Sequence, residues 1–214
     1  MFAAFILIWF TLLSISTYAI VVNSAPLNKL VSDTDLLINF FQRLTGFLAF
    51  NLLFFQILTG SLMPKLRRKL GSIIFKFHLI QGALAYSLII MHPLLFIILN
   101  FRLTNKFDPF YVFTDFCVLC SKRLEYFYTL GRISFWLITS GVVAAKLRSS
   151  IILRKNWRRV HVLNYLAFFL VSAHAYFVGT DIKLEPTSFI YFTYITVALI
   201  LLVARIVREF KERS

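Results

Sequence analysis

All four histidines of the sequence fall inside apolar stretches long enough to lie in lipid. His78 and His92 are carried by FKFHLIQGALAYSLIIMHPLLF, and His161 and His174 by RRVHVLNYLAFFLVSAHAYF. Ionisable side chains are costly inside a bilayer, and those found there usually serve a function. A neutral imidazole offers one ring nitrogen as a metal ligand. Two imidazoles, one on each side of a flat macrocycle, fill both axial positions of a haem iron and leave none for oxygen or substrate, so such a centre passes electrons. His78 and His92 are fourteen residues apart, which on a helix means a rise of about 21 Å and a rotation of about 40°, one face at two membrane depths. His161 and His174 are thirteen apart, which leaves them about 140° out of register on a straight helix. An over-wound or bent turn is expected between them, or imidazoles that lean toward the cofactors from either side of the helix axis. The expected ligand pairs are His78 with His161 for an inner b-type haem and His92 with His174 for an outer one. A single histidine in a membrane helix is more often a helix-to-helix hydrogen bond; four at matching depths on two helices exceed that need. The alternative chemistry is a histidine-lined path for a metal ion or protons, without haem.

Neighbouring residues bear on the same chemistry. Gly82 and Ala85 follow His78 on nearly the same face, where low bulk lets either a porphyrin or a packed helix approach the backbone. Arg43 and Arg132, in the outer parts of their spans, and Lys76 and Arg158, at inner ends, are candidate partners for haem propionates. For Lys76 and Arg158, snorkelling to the interface is the simpler role. Phe168 and Phe169 lie between the two ligand levels, where ordinary core packing is the favoured reading.

Residues placed in this way need membrane helices to carry them. The chain of 214 residues is 59% hydrophobic and 15% charged, with 25 phenylalanines gathered in long blocks. About 20 apolar residues cross a bilayer as a helix, and six stretches qualify, at roughly 2–22, 39–62, 72–100, 125–145, 160–179 and 187–207. Uninterrupted runs favour helices, which satisfy their own backbone in lipid, over the short alternating strands of a barrel. The expected fold is an all-α, integral membrane six-helix bundle forming a single domain over residues 1–214. The first stretch lacks the basic flank of a signal peptide and is too long for one, so it is read as a retained helix. Four basic residues in Met63 to Gly71, six in Lys146 to Arg159 and four from Arg205 onward outweigh the six shared by the alternate loops. Basic loops stay cytoplasmic, so both termini are expected inside, in a plasma or inner membrane. The same placement explains the net charge of +14 through topology and anionic lipid, so no nucleic-acid partner is invoked. No phosphate-binding glycine motif appears, so no nucleotide site is expected in the chain. Cys117 and Cys120, in FCVLC, fall in the connection assigned to the oxidising side. A disulfide or a free thiol pair of structural meaning only is favoured there over a redox relay or metal site.

Phe77-His78 followed by His92, and WRRVHVLNY with His174 beyond it, resemble the ferric reductase-like transmembrane domain shared by NADPH oxidases, yeast-type ferric reductases and the haem subunit of the periplasmic methionine-sulfoxide reductase. QRLTG, RRKLG and YTLGRISFW are similar to that family's second to fourth spans. The resemblance implies two b-type haems moving electrons outward from the cytoplasmic side. The large oxidases continue into flavin and nicotinamide domains, whereas this sequence closes on REFKERS. It therefore looks most like the stand-alone members, which are oxidoreductase components. Their electrons come from a separate cytoplasmic-side donor, with flavin or quinol supplied by a partner. Their acceptor is an extracytoplasmic ferric chelate or a dedicated reductase such as methionine-sulfoxide reductase.

Overall fold

A computed structural model of the chain describes residues 2–151 and 153–211. Six of its helices are long and apolar enough to cross a membrane: α1 (Phe2–Val22), α3 (Thr34–Leu70), α4 (Ile73–Thr104), α6 (Arg123–Lys146), α7 (Trp157–Val178) and α8 (Thr187–Lys211). Two short helices, α2 (Leu27–Ser32) and α5 (Tyr111–Thr114), and a 3-10 turn at Asp181–Lys183 lie in the connections. No strand occurs among the described residues. The protein is an all-α, multi-pass membrane protein.

Local chemistry sets the helix ends. Asp33 caps α3, its carboxylate accepting from the Asp35 and Leu36 amides at 2.9 and 3.2 Å, which satisfies donors that the first turn leaves open. Gly71 stops the helix at φ +71°, in the region where a Cβ is penalised. The segment Met63 to Gly71, expected as a loop, is helical up to Leu70. Leu, Lys and Arg are strong helix formers, and Pro64 removes only one intrahelical hydrogen bond. At 37 residues, α3 is about 55 Å long, so its basic last turns extend beyond a hydrocarbon core of about 30 Å.

The helices fall into two compact units, Met1–Phe107 with Asp181–Ser214, and Asp108–Thr180. In the first, α3 is the central helix and touches α1, α2, α4 and α8. Its Phe50, Leu52, Phe54 and Phe55 are buried, and the Phe54 ring stacks on Tyr194 of α8 at 3.8 Å. Asn51, fully buried, accepts from the Tyr194 hydroxyl at 2.9 Å and donates to the Phe47 carbonyl at 2.8 Å. Leu7, Phe10, Ile80, Leu84, Phe189 and Ile200 point outward instead. Polar groups turned in and apolar groups turned out are what a lipid solvent selects, since hydrocarbon offers no hydrogen-bond partner. The second unit is built on α6 and α7, joined closely at Gly141, Ala144 and Ala167. In each unit the main helix pair is antiparallel: early α3 meets late α4, and early α6 meets late α7.

Candidate histidine site

Each histidine is half-buried and turns its Nδ1 toward an oxygen on the helix packed against its own. His92 on α4 reaches the Gln42 carbonyl of α3 at 2.8 Å. His174 on α7 reaches the Phe127 carbonyl of α6 at 2.9 Å. A carbonyl only accepts, so in both rings Nδ1 carries the proton. In a neutral imidazole Nε2 then holds the lone pair, the form in which histidine binds a metal.

These two contacts share a local device. A glycine stands four residues after the accepting carbonyl, Gly46 after Gln42 and Gly131 after Phe127, and the ring packs closely against it. A Cβ at Gly46 would meet His92 Nδ1 at 2.6 Å and Cε1 at 2.7 Å, and one at Gly131 would meet His174 Nδ1 at 2.9 Å and Cε1 at 3.0 Å. On a helix, the carbonyl of residue i and the Cβ of residue i+4 are close neighbours. Only glycine there lets an imidazole take the second lone pair of that carbonyl.

The other two histidines are held by related means. His78 Nδ1 lies 2.8 Å from the Thr59 hydroxyl of α3, which itself donates to the Phe55 carbonyl at 2.7 Å. With its single proton committed to Phe55, the hydroxyl accepts from His78. The Gln56 amide donates to the His78 carbonyl at 3.0 Å and to Gln81 Oε1, while Gln81 donates to the Leu52 carbonyl at 2.7 Å. His161 Nδ1 lies 3.3 Å from the Gly141 carbonyl of α6 and 3.4 Å from the Asn164 amide nitrogen, whose side chain fills the space beside that glycine. No over-wound turn breaks α7, which is α-helical throughout. His161 and His174 both reach α6, at Gly141 and Phe127.

The remaining sequence candidates lie as follows. The Arg43 guanidinium grips Asp181 of the same unit, Nε donating to Oδ2 at 2.9 Å and Nη2 to Oδ1, with Nη2 also donating to the Asn23 carbonyl at 3.2 Å. Arg132, 4% exposed, donates to the Asp115 carbonyl, lies 3.7 Å from Glu125 and covers the Tyr111 ring at 4.6 Å. A carboxylate-bearing ligand would have to share or displace these partners. Lys76 and Arg158 are exposed, Arg158 stacking over Trp157 at 5.5 Å. Gly82 gives its room to Gln56, whose Oε1 would lie 3.0 Å from an added Cβ, and Ala85 is buried. Phe168 is fully buried and Phe169 half-buried. Cys117 and Cys120 form a disulfide.

Sequence reasoning missed the glycine seats and the oxygen acceptors. The repeated offset from Gln42 to Gly46 and from Phe127 to Gly131 was the available signal, but it gains meaning only once the facing helix is known. No group of three or more His, Cys, Asp and Glu side chains that could hold a metal ion occurs among the described residues; a bis-histidine iron needs only two protein ligands. No protein-family model, curated protein or solved structure matches the chain, so the family resemblance rests on the motifs themselves.

Proposed function

We propose that the chain is a membrane cytochrome b of the ferric reductase-like kind, carrying electrons from a cytoplasmic-side donor to an extracytoplasmic acceptor. The observation that supports it best is the repeated placement of the histidine Nδ1 atoms, clearest at His92 and His174, where the partner is a backbone carbonyl. All four hold Nδ1 against an oxygen of the neighbouring helix, the outer-shell contact that fixes tautomer and ring orientation in histidine metal ligands. Helix-to-helix bonding by itself gives no reason for the same nitrogen to be used four times. The donor set fits haem: His78 with His161 would hold the inner group and His92 with His174 the outer. When bound, the group supplies an iron that cycles between ferrous and ferric states. The residue after Cys120 is Ser121, so the CxxCH attachment of c-type haem is lacking and a non-covalent b-type haem is the match. Clustered Lys65, Arg67, Arg68 and Lys69 at the end of α3 favour the cytoplasm for that end, and with it for His78, by the charge rule for loops.

Vesicles of known orientation test the relay. A membrane-impermeant ferric chelate on the outer side is expected to reoxidise the reduced cytochrome faster than the same chelate enclosed within. His174→Ala should abolish the outer-side reaction and leave a reducible inner haem. Equal reoxidation from both sides in the intact protein contradicts the proposal.

A further inference from the structure

Cys117 and Cys120 are the only cysteines of the sequence, and they are bonded to each other with Cα atoms 5.7 Å apart. Their ring encloses just Val118 and Leu119. The conformational constraint that a disulfide places on an unfolded chain is smallest for the shortest loops, so this one contributes little as a staple. The enclosed residues are splayed outward, Val118 76% and Leu119 97% exposed, while Cys117 and Cys120 are half-buried.

The root of that loop, by contrast, is fixed. The Cys117 amide donates to the Thr129 hydroxyl at 2.9 Å, Arg132 donates to the Asp115 carbonyl, and the Trp136 indole donates to the Phe113 carbonyl at 2.8 Å. All three anchors are on α6, whose Phe127 carbonyl and Gly131 seat His174. One stretch of helix thus holds both the disulfide loop and a histidine, at the same end of the unit. Exposed Lys122 and Arg123 follow Cys120 directly, and neighbouring cations favour a thiolate over a thiol.

We propose that Cys117–Cys120 is a thiol–disulfide exchange site that passes electrons from the outer end of the protein to a disulfide of an extracytoplasmic protein. This rests on the haem reading above, since the electrons would come from the haem that His174 would help to hold. Two electrons, delivered singly, and two protons from external water break the S–S bond and leave two thiols. One cysteine, as thiolate, attacks the substrate disulfide and forms a mixed disulfide. The second cysteine attacks that bond, restoring Cys117–Cys120 and releasing the substrate as a dithiol.

The test uses the full chain in membranes, with electrons supplied by dithionite sealed on the inner side and external thiols counted by the gel shift of a polyethylene-glycol maleimide. The expected result is two reactive thiols per chain only after the haem bands have reduced, and none in His174→Ala. Glutathione disulfide added outside should reoxidise both thiols, and Cys120→Ser should accumulate a mixed disulfide with it. Haem bands that reduce while the cysteines stay unreactive overturn the exchange site and leave the haem reading standing. Absence of haem bands from the intact protein overturns both. The Cys117→Ser, Cys120→Ser double variant should retain its haem bands and lose glutathione disulfide reduction; retention of that activity also overturns the proposal.

Discussion

Four imidazoles carry the function proposed for this chain, and what distinguishes them is what stands behind each ring. The histidines were legible because an ionisable residue in an apolar run stands out chemically. Their seats were not, because a glycine in a helix has no partner until a second helix is laid against it. The seats can be tested individually. Ala at Gly46 or Gly131 would drive a methyl group into His92 or His174, an overpacking of about 1–3 kcal/mol that the ring must relieve by leaving its acceptor. Haem content of either variant is expected to fall toward half, through loss at the outer level. Gly60→Ala is the control: a Cβ there meets His78 Cε1 at an ordinary 3.5 Å, and haem content should be unchanged. For His78 the acceptor is a hydroxyl that valine can replace in shape. Thr59→Val leaves a part-buried N–H without that oxygen, a cost of about 1–3 kcal/mol. A lower unfolding temperature is expected together with altered inner-haem bands, both rescued by Thr59→Ser. A lower temperature with unaltered bands would make Thr59 a packing residue only.

At the scale of elements, the six spans could be read because lipid demands about 20 apolar residues of each. Their ends were less legible: the basic turns closing α3 look like a loop in hydropathy and are helical by propensity. The connection before α6 was harder still, since its order comes from contacts with α6. There the Tyr111 hydroxyl donates to Glu125 at 2.7 Å while its ring lies under Arg132. Burial first, then the bond to Glu125 and its charge, pushes the Tyr111 phenol up from 10.0 to about 12. A folded-state value above the unfolded one means stability that is complete below pH 10 and is lost as pH rises toward 12. The difference in unfolding temperature between the native chain and Tyr111→Phe should therefore hold below pH 10 and narrow above it. A difference constant up to pH 12 would show that the phenol proton is not what Glu125 binds.

At the scale of the molecule, an all-α membrane protein was evident from the length and continuity of the apolar runs, while its division into two compact units was not. That division depends on contacts such as Arg43 with Asp181, 138 residues apart, which no local pattern announces. Each unit contributes one antiparallel helix pair, and each pair carries a histidine near either end. The proposed function draws on all four histidines, so haem content reports on both helix pairs. The most direct measurement is the haem-to-protein ratio of the purified chain, taken with the low-temperature spectrum of its ferric form. Two b-type haems per chain, both low-spin with bis-imidazole signatures, and one remaining in His92→Ala, is the predicted result. A preparation that saturates at one haem or none with all four histidines intact would contradict the account.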